Sequence, residues 1–441
     1  MNLANRSVLA SLLLFAFPVG LVAILAVDDL YAQGSAPQRP LTVSTDFEGG
    51  SARVLEIDQG SRTIRFTPGG DASHGWVCWW SLRIDNVAAG SRLKLELNAS
   101  DQPTRNNGQL TSKALDAGWA MPAQASLSHD GKHWVHSEVG KRDGSRMIYE
   151  VVAQSQSLWV AWGPPFTPRD SQELIEFITK KLPNAKPMEL ARSRQGRPVQ
   201  AVIITPTSDR DRSGGDPSSE SSRGVWIGAR QHAWETGSSW VANGIGRWLT
   251  SDDPSAKWLL DNAEIVLVPV MDVDNVATGN GGKEEDPRDH NRDWDDNPAY
   301  PEVRQAQQWL NQWSKQGRLD LFVDLHNPAP RDLRPFFFCG PPELLSDVGR
   351  DNRALFLSIA SRRIDGPLPV EPQPRITGPS YHPLWKQISC QWVNSHGNGH
   401  TTAICLETAW NTPASTTEGY QTVGRQLGQT MAEFLQKAKR K

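Results

Sequence analysis

The stretch Gly224-Val-Trp-Ile-Gly-Ala229 is a short apolar run, and His232-Ala-Trp-Glu235 follows it two residues later. An apolar run of this length predicts a buried strand. Two similar runs end in polar side chains: Leu319-Asp-Leu-Phe-Val-Asp-Leu-His326 ends in a histidine, and Thr402-Ala-Ile-Cys-Leu-Glu407 ends in a carboxylate. Ligand-binding side chains of doubly wound sheets gather at the carboxyl ends of the strands. We therefore expect these histidines and carboxylates at one crevice.

Strand-like and helix-like segments alternate around these runs. Further strands are predicted at Val199–Ile204 and Glu264–Val270, and amphipathic helices at Asp170–Lys181, Ser239–Leu249 and Pro301–Gln316. Such alternation predicts an α/β fold with a mixed, mostly parallel sheet flanked by helices.

The preceding segment has a different pattern. Short alternating runs such as Arg53–Ile57 and Leu93–Leu97 are separated by Gly, Asp and Asn, without a helix-length period. The chain is therefore expected to carry a smaller all-β sandwich domain at residues 41–165, followed by the α/β domain at residues 166–441.

The N-terminus resembles a targeting segment. The run from Val8 to Val27 has no charged residue, which favours a signal sequence within residues 1–32, with cleavage expected after Ala32. The run is also long enough to be a membrane anchor if it stays uncleaved. We expect an exported protein, periplasmic or extracellular, that contacts a membrane only through an uncleaved segment.

Composition excludes some classes of function. The net charge is −3 over 441 residues, and no block of Lys and Arg suggests a nucleic-acid partner. The four cysteines are widely scattered, which argues against a disulfide-stapled scaffold. A peptide or small-molecule substrate fits this composition better.

Two imidazoles and one carboxylate are a ligand set for a catalytic zinc ion that leaves a position for water. His232, Glu235 and His326 are candidates for this set, and Glu407 for the base. A single His-x-x-Glu is weak evidence, since such a glutamate often caps a helix or faces solvent. The prediction depends on all of these residues following strands.

Several motifs resemble those of the zinc carboxypeptidases, most closely the cytosolic carboxypeptidase branch with its deglutamylases. The stretch Ala229-Arg-Gln-His-Ala-Trp-Glu-Thr-Gly-Ser-Ser-Trp240 resembles the metal motif of that branch. Ser193–Arg197, Asp274–Asn280 and His290–Trp294 resemble motifs that follow in the same order, and Trp162–Thr167 resembles the junction with an N-terminal β-domain. The likeness extends over about residues 41 to 435.

The resemblance implies one Zn²⁺ bound by His232, Glu235 and His326, with Glu407 as general base and acid. It also implies that Asn291 and Arg292 bind the terminal carboxylate of a substrate, since a guanidinium offers two parallel donors to a carboxylate. The alternative for Arg292 is an ion pair on the surface with a neighbouring aspartate.

Two further roles are less clearly matched. Gly282 stands where the branch has an arginine that stabilises the oxyanion, so Lys283 or Arg288 is expected to replace it. Tyr381 is the nearest match to the mobile tyrosine that closes over substrate, with Trp385 and Trp392 as competing aromatic residues.

The resulting functional prediction is a zinc-dependent metallocarboxypeptidase that hydrolyses C-terminal peptide bonds of peptides or protein tails. Acidic residues are a possible substrate by resemblance, and Arg375 and Lys386 are the basic residues in the expected interval. The alternatives are a catalytically silent peptide-binding module and a zinc amidase or deacylase.

Overall fold

The structure is a computed structural model that describes residues 39–207 and 223–440. The predicted signal sequence or anchor at residues 1–32 lies outside the described residues. Among the described residues, none of the helices has both the length and the apolar character that a membrane span requires.

Two five-stranded sheets enclose the core of the N-terminal region. Their orders are β1-β4-β12-β8-β9 and β10-β11-β5-β3-β2, and β6 and β7 form a separate hairpin. Side chains that alternate along the strands fill the space between the sheets, such as Leu93, Leu95 and Leu97 of β5. The strands are β1 Thr42–Ser44, β2 Arg53–Asp58, β3 Thr63–Thr67, β4 Ser81–Asp85, β5 Arg92–Asn98, β6 Pro103–Asn106, β7 Gln109–Ala114, β8 Ser126–Ser128, β9 Val135–His136, β10 Lys141–Asp143, β11 Arg146–Val152 and β12 Ser157–Ala161.

An eight-stranded mixed sheet forms the centre of the following region, in the order β13-β14-β16-β15-β17-β20-β18-β19. The four central strands β16, β15, β17 and β20 run parallel to their neighbours within this group. The strands are β13 Ala185–Arg192, β14 Pro198–Ile204, β15 Arg223–Ala229, β16 Ala263–Val268, β17 Leu319–His326, β18 Phe336–Cys339, β19 Arg375–Ile376 and β20 Thr402–Glu407.

Helices cover this sheet. The first begins behind a capping box, in which Thr167 and Asp170 satisfy each other's backbone N–H groups. The helices are α1 Pro168–Lys181, α2 Thr236–Leu249, α3 Pro254–Asn262, α4 Val273–Thr278, α5 Pro301–Lys315, α6 Asp347–Arg363, α7 Ser389–His396 and α8 Thr417–Lys437.

Helices α2 and α8 pack at very short range. Any side chain at Gly244 of α2 would overlap the backbone of Gln421, and any side chain at Gly424 of α8 would overlap the carbonyl oxygen of Val241. Glycine at both positions therefore allows α8 to pack closely against α2.

The two regions meet at a cluster of tryptophans. The ring of Trp162, after β12, lies 4.2 Å from that of Trp410 and 5.3 Å from that of Trp234 (centroid distances). Trp234 and Trp410 belong to the α/β region but are buried in the core of the β region. The cluster fixes the β region beside the loop that contains His232 and Glu235.

The predicted fold class is confirmed, with an all-β region preceding the mixed sheet. The main differences lie at element ends. Helix α2 begins at Thr236, three residues before the prediction, and β16 ends at Val268, two residues before the predicted Val270. The polar residues Thr236, Gly237 and Ser238 hide the helix start from a pattern of apolar residues.

Candidate metal centre and active site

Two neighbouring parallel strands supply the predicted metal ligands. His326 is the last residue of β17, and His232 and Glu235 lie in the loop between β15 and α2. Because β15 and β17 are parallel and paired up to Ala229 and Leu325, their carboxyl ends lie at one edge of the sheet. This edge brings the three side chains together.

The two imidazoles converge on one carboxylate. Nδ1 of His232 lies 2.7 Å from Oε1 of Glu235, and Nδ1 of His326 lies 2.6 Å from Oε2. One ligand atom from each residue lies within 4.8 Å of the others, and all three side chains are buried. Glu235 is the N-cap residue of α2, yet its side chain caps no helix N–H. It faces the imidazoles instead, so the helix-cap alternative is excluded.

The other ring nitrogen of each imidazole, Nε2, lies close to a second carboxylate. Nε2 of His232 lies 3.0 Å from Oδ1 of Asp289, and Nε2 of His326 lies 3.0 Å from Oδ2 of Asp324. Carboxylates in this position orient metal-binding histidines and raise their basicity. Neither Asp289 nor Asp324 was predicted from the sequence. Asp324 could have been found, since it lies two residues before His326 on the same face of β17.

Glu407 lies beside the three ligands. It ends β20 and pairs with His326 across the sheet, and it lines the same cavity. Its Oε2 is buried without a hydrogen-bond partner among the described residues. Burial raises the pKa of Glu407 to about 7. A buried, unpaired carboxylate oxygen beside two imidazoles and a carboxylate fits a site that takes a cation and a water molecule.

The cavity above these residues has a volume of about 340 Å³. Residues of the β region, Trp76 and Trp119, form part of its wall together with Trp234. The β region therefore contributes directly to the site, which the sequence analysis did not predict.

Arg292 faces the cavity as predicted for a group that binds carboxylate. Its side chain is buried, Nη1 donates to the carbonyl of Asn291 at 2.8 Å, and Nε has no partner among the described residues. The structure shows no ion pair to Arg292 within the part of the chain that it describes. The surface alternative does not hold, because Asp293 pairs with Arg288 instead.

Asn291 also lines the cavity, but its amide is largely engaged. Its Oδ1 accepts a hydrogen bond from the backbone N–H of Ser389 at 2.9 Å, and its Nδ2 lies 3.1 Å from Nε2 of His326. Asn291 therefore links α7 to the imidazole of His326 in addition to facing the cavity.

Of the two candidates for the oxyanion donor, the structure places only Lys283 at the cavity. Its Nζ lies 5.4 Å from the ring centroid of Trp76. Arg288 is not part of the cavity wall, and its Nη1 binds Oδ2 of Asp295 at 2.5 Å. The structure therefore does not bring Arg288 together with the other predicted site residues, because Asp293 and Asp295 hold its guanidinium.

The backbone explains why no arginine occupies position 282. Gly282 has φ +73°, and a Cβ there would meet the backbone N of Ala233 at 2.7 Å and overlap the carboxylate of Asp272. A long side chain is excluded at this position. Lys283, the next residue, reaches the cavity instead.

Tyr381 lines the cavity, with its ring 5.0 Å from that of Phe338 and 44% of the residue exposed. Its competitors do not: Trp385 is absent from the cavity wall, and Trp392 packs against Trp294 in the core. Of these three residues, only Tyr381 lines the cavity.

Arg375 and Lys386 are the two basic residues that were considered for binding an acidic substrate side chain. Of these, only Arg375 lines the cavity. Its Nη1 binds Oδ1 of Asp332 at 2.9 Å, and its guanidinium lies 3.4 Å from the ring centroid of Phe336. Lys386 is not part of the cavity wall and lies over the ring of Trp385.

Protein-family models match both regions of the chain. A family model described as zinc carboxypeptidase matches residues 172–336, and one described as cytosolic carboxypeptidase N-terminal domain matches residues 43–162. Residues 172–336 therefore match the zinc carboxypeptidase family. The resemblance and the class of enzyme predicted from the motifs, a hydrolase of the metallocarboxypeptidase type, are thus confirmed at the level of the family. The first match ends before Glu407, so the placement of that residue rests on the structure.

Curated relatives match over different spans. An uncharacterized protein of Zymomonas mobilis is 25% identical over 319 residues, which cover 72% of this chain and 74% of that protein. Cytosolic carboxypeptidase 4 of Mus musculus is 32% identical over 126 residues, which cover 28% of this chain. The match spans only 11% of the mouse protein's length.

Solved structures share the fold over most of the chain. A metallo-carboxypeptidase from Burkholderia cenocepacia has a TM-score of 0.72 at 21% identity, covering 90% of this chain and 99% of that one. A metallo-carboxypeptidase from Pseudomonas aeruginosa, in complex with (2-guanidinoethylmercapto)succinic acid, has a TM-score of 0.71 at 20% identity, covering 90% and 100%. At these identities the likeness concerns the fold.

Proposed function

We propose that the chain is a zinc-dependent carboxypeptidase that hydrolyses the C-terminal peptide bond of peptides or protein tails. One observation carries the proposal. Two imidazole Nδ1 atoms converge on Glu235 beside a cavity that is also lined by Glu407 and by the buried guanidinium of Arg292, whose Nε has no hydrogen-bond partner among the described residues.

His232, Glu235 and His326 would hold the zinc ion, since two histidines and a glutamate are a known ligand set for catalytic zinc. When bound, zinc supplies a Lewis acid that polarises the scissile carbonyl and lowers the pKa of water. Asp289 and Asp324 support this role, because they fix both imidazoles with Nδ1 directed at the site.

The remaining steps belong to side chains of the cavity. Arg292 binds the terminal carboxylate of the substrate through parallel N–H donors and thereby positions the last peptide bond. Glu407 accepts a proton from the attacking water and passes it to the leaving amine. The raised pKa of Glu407, about 7, suits a group that first accepts and then donates a proton near neutral pH. Lys283 donates to the oxyanion.

Acidic C-terminal residues are the preference that we propose to test first, because Arg375 is a basic side chain of the cavity wall. Its guanidinium already faces Asp332 and Glu371. An acidic substrate side chain would have to compete with these carboxylates, so a panel of peptides ending in Glu, Lys, Phe and Ala separates acidic from other preferences.

The test uses the purified full chain and peptides with free or amidated C-termini. We expect release of the last residue from free peptides only, loss of activity with a chelator and recovery with Zn²⁺. Equal cleavage of amidated peptides would favour the amidase alternative. A zinc-loaded protein that binds peptides without cleaving any would favour the silent binding module.

Two variants test the proposed contact between Arg292 and the terminal carboxylate of the substrate. Arg292→Ala is expected to lower kcat/KM for free peptides by roughly 10- to 150-fold, as for the loss of a charged hydrogen bond of about 1.5–3 kcal/mol. Arg288→Ala removes a nearby guanidinium that does not face the cavity and should leave kcat/KM close to that of the wild type. An equal loss in both variants would contradict the assignment.

We also propose export, on the basis of the uncharged run from Val8 to Val27. Fractionation of cells that express the full chain, followed by N-terminal sequencing, tests it. A protein found only in the cytosol with its N-terminus intact would overturn this proposal.

A further inference from the structure

A second cluster of metal-binding side chain types lies outside the cavity described above. It consists of Asp272, which caps α4, Glu285 in the following loop, and His290 in the short turn His290–Arg292. All three side chains are buried. None has a role in the proposed reaction.

The cluster has the geometry of a ligand set. Nδ1 of His290 lies 2.7 Å from Oε1 of Glu285 and 4.0 Å from Oδ2 of Asp272, and one ligand atom of each residue lies within 4.8 Å of the others. The ring of His290 stacks on that of Tyr300 at a centroid distance of 3.7 Å, which fixes its orientation.

The other imidazole nitrogen is held by a further carboxylate. Nε2 of His290 lies 2.8 Å from Oε1 of Glu302, a buried side chain. A metal-binding histidine commonly directs its second nitrogen to a carboxylate in this way. The remaining oxygen of Glu302, Oε2, is buried and has no hydrogen-bond partner among the described residues.

The charges of the cluster do not balance. Three buried carboxylates surround one imidazole, so a protonated His290 offsets only one of their charges when all three are ionised. Within the part of the chain that the structure describes, no Lys or Arg forms an ion pair with Asp272, Glu285 or Glu302. Asn275 donates from Nδ2 to Asp272 and Glu285, but it carries no charge. Burying uncompensated charge is costly, and a divalent cation would offset it.

An ion could reach the cluster from solvent. A second cavity, of about 220 Å³, is lined by Asp272, Glu285 and His290, together with Asp274, Tyr300 and one basic residue, Arg194. The guanidinium carbon of Arg194 lies 5.6 Å from the ring centroid of Tyr300. It is separate from the cavity that contains Glu407 and Arg292.

We propose that Asp272, Glu285 and His290 form a second binding site for a divalent transition-metal ion such as Zn²⁺. An imidazole ligand favours transition metals over Ca²⁺ and Mg²⁺, which prefer oxygen ligands alone. Bound there, the ion ties the start of α4 to the turn that carries Asn291 and Arg292. The site goes beyond the proposed reaction, because it contains no residue that acts in it.

Counting zinc per chain tests the proposal. The full chain and its variants are equilibrated at a buffered low concentration of free Zn²⁺, and bound zinc is measured by mass spectrometry. We expect two ions per wild-type chain, one for Glu285→Gln, one for Glu235→Gln and none for the double variant. Asp274→Asn is the matched control, because its carboxylate lines the same cavity but already binds Ser193 and Arg197. It should keep both ions.

The outcomes separate this inference from the proposed function. One ion in the wild type that is lost in Glu235→Gln and kept in Glu285→Gln would overturn the second site and leave the peptidase proposal intact. One ion lost only in Glu285→Gln would support the second site and contradict zinc binding at Glu235.

A measurement on the wild type alone covers the case in which a variant fails to fold. Metal-free chain is titrated with Zn²⁺ against a chromophoric chelator. Two binding steps support the proposal, and a single step of one ion per chain overturns it.

Discussion

The two clusters of imidazole and carboxylate differ in what stands opposite the ligands. His232, Glu235 and His326 open onto a large cavity that Glu407 and Arg292 also line. Asp272, Glu285 and His290 open onto a smaller cavity. Among the described residues that line it, no buried side-chain N or O atom lacks a hydrogen-bond partner. The two clusters thus have similar ligand types, and only the first faces the proposed base and the proposed contact for a substrate.

Charge distinguishes the clusters as well. Two neutral imidazoles and one carboxylate leave a zinc ion with net positive charge, which is needed to polarise a carbonyl. One imidazole with two carboxylates neutralises a divalent ion. We therefore expect the first site to be catalytic and the second to be structural.

The largest effect is expected when the base is removed. Glu407→Gln should lower kcat/KM about 10²- to 10⁴-fold, since the amide cannot accept the proton of water. Peptide hydrolysis and bound zinc are measured on the same sample. The zinc content should stay unchanged, because Glu407 is not a ligand. If Glu407→Gln kept activity close to that of the wild type, Glu407 would not be the base, and the proposed difference between the two clusters would not hold.

A paired substitution behind the imidazoles compares the sites directly. Asp289→Asn and Glu302→Gln each remove the charge of a carboxylate that holds Nε2 of a proposed ligand, His232 or His290. Each should weaken zinc binding at its own site by about 10- to 100-fold. Competition with a chelator measures both affinities. Weakening of the same site by both variants would contradict two independent ions.

The dependence of activity on pH gives a smaller, graded effect. Glu407 acts as a base only when ionised, and burial raises its pKa to about 7 from the usual 4.5. A bound cation lowers it again, so the acid limb of kcat/KM should lie between these values. Below the limb the rate should fall about tenfold per pH unit.

The same profile separates the two clusters. Glu285→Gln should leave the position of the acid limb unchanged, because Glu285 takes no part in proton transfer. A limb that moves with Glu285→Gln but persists in Glu407→Gln would assign the titration to the second cluster.

Much of the first site was predictable from local pattern. His326 and Glu407 each end an apolar run, and parallel strands bring such ends to one edge, so their proximity follows from strand assignment. The choice between Lys283 and Arg288 was not predictable. It depends on the positive φ of Gly282 and on the ion pairs of Arg288. Neither can be read from the amino-acid sequence.

Periodicity and short motifs thus predict features that are close along the chain or follow one another at successive strand ends. These features are the α/β order, the proposed metal ligands and the proposed base. The tryptophan contacts of the β region, the cavity position of Arg375 and the second cluster needed the folded chain. Asp272, Glu285, His290 and Glu302 come from separate loops and helix ends, and such segments meet through packing that no repeating pattern encodes.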